Sequence, residues 1–169
     1  MIDHTSTLAD FDRLAAVAGY DLDDPDLRRR LDELSVRTAT ALGQPVSMVS
    51  LVLDTAHLVA GSTPLPGWGA DVEGVPVEWS FCANAVVTSA PYVVADAARD
   101  PLQHDNPLVT LDGVACYAGV PLVTPEGHTV GAHCVFGAVP HEFTTAEIDH
   151  LRTAAAEAVA VLEEHRLPA

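Results

Sequence analysis

The 169 residues suffice for one domain with its own core, and 49% of them are hydrophobic, which is typical of a globular protein. With 24 acidic residues, 8 arginines and no lysine, the formal charge of −16 disfavours binding to nucleic acid or anionic lipid, and Schiff-base chemistry is excluded. No segment has the length of a membrane span and no signal-peptide pattern is present, so we expect a cytoplasmic, acidic protein.

Two helices are predicted at the start of the chain. Residues 7–20 carry apolar side chains along one side, and the acidic run 21–24 interrupts that pattern. A second helix is predicted from Pro25, which suits a first helical turn, to Gly43, which suits a helix end. Between them, apolar residues recur at spacings of 4 and 3, as in a helix with one buried face.

Five strands are predicted in the middle of the chain from short runs of β-branched and apolar residues. They cover residues 46–53, 57–62, 92–95, 114–123 and 129–136. The last two are expected to form a β-hairpin, because Pro125 followed by Gly127 favours a tight turn. The stretch 64–76, rich in glycine and proline, has no assignable pattern.

Two further helices complete the prediction. A short one is expected between Ser80, whose hydroxyl can cap it, and Ser89, because Pro91 follows. A long C-terminal helix is predicted after the capping box that Thr144 and Glu147 form. Strands joined by short turns and flanked by terminal helices indicate an α+β fold with an antiparallel sheet.

Several short motifs follow one another between residues 79 and 144. They are S-F-C-A-N-A-V from Ser80, P-Y-V-V-A-D-A from Pro91, D-P at Asp100, N-P-L-V from Asn106, Y-A-G-V-P-L from Tyr117, E-G at Glu126, G-A-H-C-V from Gly131 and F-T at Phe143. Their order and spacing resemble the GAF domain family, in the form common in actinobacterial signalling proteins. The flanking helices extend this resemblance from about residue 25 to residue 165.

The resemblance implies a GAF fold. Its central antiparallel sheet has about five to six strands, with the N- and C-terminal helices on one face and pocket-forming loops and helices on the other. We therefore expect residues 1–24 to be an N-terminal extension with a short helix, and residues 25–166 to be the GAF domain. GAF domains bind cyclic nucleotides, haem, bilins, oxoacids or metal centres, so the cofactor is unknown.

The resemblance also implies a non-catalytic module that senses a small molecule, acts in signal transduction through protein contacts and forms a homodimer through its terminal helices. The predicted ligand-binding residues are Phe81, Cys82, Asp96, Asn106 and Tyr117. The loop positions equally suit ordinary turns and caps, and Cys82 equally suits a packed core. No catalytic residue and no metal ligand is predicted, and His133 and Cys134 should point to opposite faces of a strand.

Two other functions remain open. Free methionine-(R)-sulfoxide reductases are single GAF domains that use cysteines; Cys82 falls where they carry a resolving cysteine, and Cys116 is a conceivable nucleophile. Their catalytic cysteine lies in an earlier loop, however, and the equivalent residues 103–111 contain none. The second alternative is a ligand-free scaffold for dimerisation or protein interaction.

Overall fold

The computed structural model describes residues 4–65 and 73–169. Its helices are α1 (His4–Leu8), α2 (Phe11–Ala18), α3 (Pro25–Leu42), α4 (Cys82–Thr88), α5 (Pro107–Thr110) and α6 (Thr145–Glu164), with a 3₁₀ turn at Val77–Trp79. Its strands are β1 (Val46–Val52), β2 (Ala56–Ser62), β3 (Gly74–Pro76), β4 (Tyr92–Val94), β5 (Cys116–Val123) and β6 (Thr129–Gly137). Over these described ranges, no helix is both long and apolar enough to cross a membrane.

The six strands form one antiparallel sheet in the order β3-β2-β1-β6-β5-β4. The predicted hairpin is present, and β5 and β6 pair from Cys116 opposite Gly137 to Val123 opposite Thr129. The prediction of an α+β GAF fold with about five to six strands is confirmed. The sixth strand, β3, lies in the stretch that the sequence left unassigned, of which residues 66–72 fall outside the described part of the chain.

Helices α3 and α6 pack together on one face of the sheet. Asp24 caps the start of α3 and Gly43 its end, and Gly43 has the left-handed φ of 64° that glycine tolerates best. The predicted capping box of Thr144 and Glu147 is formed at the start of α6. The buried apolar residues of this helical layer are Leu27, Leu31, Leu34, Leu42, Leu151, Ala154, Ala155, Ala158, Val161 and Leu162.

A second layer covers the opposite face. It contains α1, α4 and the connection between β4 and β5, and we call it the cap layer. Alternation along the strands sends neighbouring residues into different layers, as with Met48 on the cap side and Val49 on the helical side. The sheet therefore has a packed core on each face.

The single helix predicted for residues 7–20 is wrong. The structure has α1 and α2 instead, with a break at Ala9 and Asp10. The Asp10 side chain accepts a hydrogen bond from the backbone N–H of Arg13 at 2.8 Å, so it caps a new helix where the apolar pattern alone suggested continuation. As a result, Leu8 packs in the cap layer and Val17 in the helical layer. The predicted boundary between an N-terminal extension, residues 1–24, and the GAF domain, residues 25–166, stays a prediction.

Candidate ligand-binding site

Aromatic side chains gather under α4 in the cap layer. The ring of Tyr117, on β5, lies 5.1 Å from that of Phe81 and 5.9 Å from that of Tyr92, measured between centroids. Tyr117 lies over Gly119, where a Cβ atom would come within 2.2 Å of the Tyr117 hydroxyl oxygen. Phe81 directly precedes α4, so the start of this helix is anchored on the aromatic group.

Two thiols and two hydroxyls lie beside these rings. The Tyr117 hydroxyl donates to Sγ of Cys82 at 3.0 Å, and the Cys82 thiol donates to Oγ of Ser50 at 3.6 Å. Cys134 on β6 contacts both Cys82 and Tyr117 through its side chain. All four residues are buried. We call them the thiol–phenol cluster.

The two thiols and the phenol of the cluster differ in how readily they lose a proton. Burial raises the pKa of the Cys134 thiol, and burial together with the neighbouring cysteines raises the pKa of the Tyr117 phenol. Burial also opposes ionisation of Cys82, but hydrogen bonds with Cys134, Tyr117 and Ser50 outweigh that effect and lower the pKa of its thiol. Cys82 is therefore the group of this cluster that ionises most readily.

The Asn106 side chain connects separate segments of the cap layer through hydrogen bonds. Its side-chain oxygen accepts from the N–H of Leu108 at the start of α5, and its amide nitrogen donates to the carbonyl of Trp79 and to Gln103. Gln103 in turn donates to the hydroxyl of Tyr92 at 2.9 Å. This polar chain ties the β4–β5 connection to the segment before α4 and ends at a ring that packs on Tyr117.

The five predicted site residues thus have different surroundings. Phe81, Cys82 and Tyr117 are in direct contact, and Asn106 reaches them through Gln103 and Tyr92. Asp96 follows β4, and its half-buried carboxylate pairs with exposed Arg99 at 3.7 Å. We therefore regard Asp96 as a rim position and the other four as one connected group.

His57 and Ser80 form a contact that the sequence did not indicate. Nδ1 of His57 lies 2.6 Å from Oγ of Ser80, and that oxygen accepts the backbone N–H of Ala83 in the first turn of α4. Burial lowers the pKa of His57 to about 4, so its ring is neutral at pH 7 and shares one hydrogen bond with the Ser80 hydroxyl. His57, like Gln103, carried no local signal, because its partner lies far away in the sequence.

The other candidate thiol lies on the opposite side of the sheet. Cys116 alternates with Tyr117 on β5, and its thiol donates to the side-chain oxygen of Gln44, just after α3, at 3.7 Å. Cys82, on the cap side, is therefore separated from Cys116 by the sheet. Burial raises the pKa of Cys116, which keeps it protonated. This placement does not favour the pair that a sulfoxide reductase would need.

His133 and Cys134 point to opposite faces, as predicted. Nδ1 of His133 bonds to the carbonyl of Met48 at 2.9 Å and Nε2 to the hydroxyl of Thr38, on α3, at 2.8 Å. Cys134 lies in the cap layer. Within residues 4–65 and 73–169, no group of three His, Cys, Asp or Glu side chains is arranged to hold a metal ion.

Sequence comparison places this architecture in a known family. Residues 26–163 match the GAF domain model, and since this match covers most of the chain, the chain belongs to the GAF domain family. A cyclic di-GMP phosphodiesterase of Pseudomonas aeruginosa is 31% identical over 110 residues, 64% of this chain. The chain spans only 18% of that relative's length, so the phosphodiesterase activity belongs to a much longer protein.

Solved structures share the fold. The GAF domain of a phosphoenolpyruvate-protein phosphotransferase from Coxiella burnetii has a TM-score of 0.69 at 16% identity, covering 96% of this chain and 95% of that one. A type II free methionine-R-sulfoxide reductase from Thermoplasma acidophilum has a TM-score of 0.69 at 11% identity, covering 87% and 99%. The GAF domain of PixJ from Thermosynechococcus elongatus has a TM-score of 0.66 at 19% identity, covering 92% and 89%. At these identities the likeness shows the fold alone.

Membership in the GAF family supports a sensory or regulatory role. GAF domains bind small molecules, mediate signalling interactions and are generally not catalytic. The fold alone does not name a ligand, because one fold carries many sites.

Proposed function

We propose that this chain is a non-catalytic sensor. A small molecule binds in the cap layer beside Phe81, Cys82, Asp96, Asn106 and Tyr117, and the signal leaves through protein contacts of α3 and α6. The ligand would bind by moving the cap layer, and so would favour one arrangement of the sheet and its helices over another.

The observation that carries this proposal is that β5 contacts both layers, the cap layer with one face and the helical layer with the other. Tyr117 faces the cap layer, while the next residue, Ala118, packs in the helical layer with α6. A ligand that displaces the Tyr117 ring therefore acts on the strand against which α6 packs. Because protein interiors are close-packed, such a shift is passed on to the helices rather than absorbed.

The chemistry of the site favours a flat, neutral or weakly cationic ligand. Phe81, Tyr92 and Tyr117 offer ring faces. Once the Tyr117 ring is displaced, its hydroxyl and the Cys82 thiol can bond to the ligand, and the side-chain oxygen of Asn106 has a second lone pair to accept with. Asp96 at the rim and the net charge of −16 disfavour a phosphate-rich ligand.

The test begins with the native protein as purified. An absorption spectrum, followed by mass spectrometry of any compound released on denaturation, identifies a bound ligand directly. Affinity for that compound is then compared between the wild type and two variants that each lose one buried tyrosine hydroxyl: Tyr117→Phe at the site and Tyr20→Phe in the other layer, where the hydroxyl donates to Glu163.

We expect Tyr117→Phe to weaken binding about tenfold, the cost of roughly one hydrogen bond, and Tyr20→Phe to leave binding unchanged. Equal affinity in all three proteins would place the ligand elsewhere. If no compound is released and none binds in a metabolite screen, the scaffold alternative replaces the sensor.

The proposed partner contact is a second copy joined through α3 and α6. Val36, on α3, is a large apolar side chain with 46% of its surface exposed. A Val36→Glu variant should shift the protein from dimer to monomer in sedimentation, because it buries a charge in the contact. The exposed residue Leu111, far from these helices in the β4–β5 connection, provides the control as Leu111→Glu. A wild type that sediments as a monomer refutes this contact.

A further inference from the structure

A groove lies at the C-terminal end of α4, and most of one wall comes from residues that precede the family match. Its volume is about 430 Å³. Thr7 lies on α1, Asp10 caps α2 and Arg13 lies on α2, while Val87 comes from the end of α4 and His128 from the turn between β5 and β6. The aromatic site begins at the first residue of α4, so the two sites lie at opposite ends of this helix.

Arg13 has an unusual set of partners. Its side chain is 96% buried, as only 4% is exposed, and its hydrogen bonds go to backbone carbonyls. Nη1 donates to Val52 at 2.6 Å and to Thr129 at 3.5 Å, and Nη2 donates to Leu8 at 2.6 Å. In the described part of the chain, its Nε is a buried nitrogen with no hydrogen-bond partner.

These contacts leave the buried Nε–H of the guanidinium without an acceptor, while Nη2 has one N–H beyond the one that it donates to Leu8. The group has five N–H donors, and Nε–H lies beside an N–H of Nη2 on the same edge. Such an edge matches the two oxygens of a carboxylate. A buried polar donor without a partner costs free energy, so an acceptor that reached this edge would be favoured.

The charges around the groove select against a plain anion. Asp10 lines the same groove and is exposed, and burial lowers the pKa of Arg13 against the opposing influence of Asp10 and Asp54. A ligand with only a carboxylate would be attracted by Arg13 and repelled by Asp10. A ligand that also carries an ammonium group satisfies both side chains at once.

The remaining wall offers both hydroxyls and apolar surface. Ser89 has a φ of 48°, in the left-handed region that serine rarely adopts, and its Oγ lies 2.7 Å from Oγ1 of Thr129. This contact fixes the end of α4 against β6. Val86 and Val87 stand next to it and provide space for an apolar side chain.

We propose that this groove binds the zwitterionic head of a free α-amino acid. The carboxylate takes the Nε and Nη2 edge of Arg13, the ammonium group takes Asp10, and the amino-acid side chain packs toward Val87. Access to the buried edge requires a small outward movement of α1, a helix of five residues that Arg13 holds through Leu8. This proposal does not rest on the aromatic site.

The experiment is a titration of the full chain, labelled with ¹⁵N, with glycine, L-serine and L-valine, followed by amide chemical shifts. Acetate and ethylammonium, which carry one charge each, are the matched control compounds. We expect saturable shifts at Val87, Ser89 and His128 with the amino acids, and at least about tenfold weaker responses to either single-charge compound.

The decisive variant is Asp10→Asn. Asparagine caps a helix as well as aspartate does, so α2 should persist while the charge is lost. We expect affinity for glycine to fall about tenfold and affinity for acetate to stay the same or rise. Arg13→Lys keeps the positive charge but loses the paired N–H donors of the guanidinium, so it should also weaken glycine binding. If the lysine variant does not fold, Asp10→Asn alone still tests the proposal.

Four results would overturn the proposal. They are an absence of shifts with any of the three amino acids, equal affinity for acetate, unchanged binding by Asp10→Asn, and shifts centred on Phe81 and Tyr117 rather than on the groove. The Tyr117→Phe variant separates this proposal from the sensor proposal, because it should bind glycine as the wild type does.

Discussion

Gly119 determines where the Tyr117 ring can lie. A methyl group at Gly119 would come within 2.2 Å of the phenol oxygen, and Phe81 and Tyr92 block the ring from moving aside freely. We expect Gly119→Ala to lower the free energy of unfolding by about 1–3 kcal/mol, the usual range for overpacking. It should also move the hydroxyl away from Cys82 and speed alkylation of this buried thiol.

Urea unfolding and the rate of iodoacetamide labelling measure these two effects. The double variant Gly119→Ala with Tyr117→Phe is the control, because it removes the nearest clashing atom. It should recover part of the lost stability, so that the two changes are not additive. Additive losses would show that Gly119 acts through something other than the phenol.

Two buried histidines make stability depend on pH. Burial lowers the pKa of His57 and of His133 from 6.5 to about 4. Between these values the unfolded chain takes up protons that the folded chain does not, so stability is present above pH 6.5 and is lost as the pH falls toward 4. We expect a loss of up to about 3 kcal/mol per histidine over this window.

Urea unfolding at pH 7 and at pH 5 tests this dependence. A His133→Gln variant should be less stable at pH 7 but should lose less on acidification, because one titrating group is gone. His104→Gln, in an exposed loop, should keep the wild-type dependence. The same loss in all three proteins would contradict the assignment.

At the scale of strands, β1 and β6 approach so closely that one position must be glycine. A Cβ atom at Gly131 would lie 1.8 Å from the carbonyl oxygen of Ser50 on the paired strand. Backbone cannot yield as a flexible side chain can, so Gly131→Ala should cost about 3 kcal/mol or more. Gly43→Ala is the control: open space surrounds Gly43, and only its φ of 64° is strained, a cost of about 1 kcal/mol.

Both variants are compared by urea unfolding. A smaller loss at Gly131 than at Gly43 would mean that β6 can move away from β1, and the central pair of the sheet would then be less rigid than the packing indicates.

The elements that the sequence predicted well carry their signals locally. Helix α6 has its capping box and apolar spacing, and the β5–β6 hairpin has Pro125 and Gly127. Strand β3 has three residues, too few to show a period, and it exists because β2 offers an edge. Tertiary pairing, rather than propensity, decides such an element.

The candidate site was predictable only in part, for the same reason. The family motifs drew attention to Phe81, Cys82 and Tyr117, which lie on elements with local signals. The contacts of Gln103 and His57 join residues that are distant in the chain or sit in loops, so neither residue has a pattern of its own. The groove at Arg13 could not be predicted, because the apolar pattern of residues 7–20 indicated one continuous helix and gave no sign of the break between α1 and α2.

For the whole molecule, the excess of acidic residues sets how stability responds to salt. Arginine ion pairs such as Arg37 with Glu157 are exposed and contribute little, whereas 24 acidic residues against 8 arginines leave strong net repulsion. Raising the salt concentration shortens the range of that repulsion more than it weakens the few close pairs. We therefore expect the melting temperature to rise by about 2–4 °C between low and high sodium chloride, equivalent to about 1 kcal/mol.

Thermal unfolding at pH 7 over a series of sodium chloride concentrations measures this rise. Glu142→Gln, at an exposed side chain that precedes α6, removes one repulsive charge and should raise the melting temperature at low salt while reducing the response to salt. Glu157→Gln removes a charge that is paired with Arg37 and should do neither. A melting temperature that falls as the salt concentration rises would show that the ion pairs contribute more to stability than the net repulsion takes away.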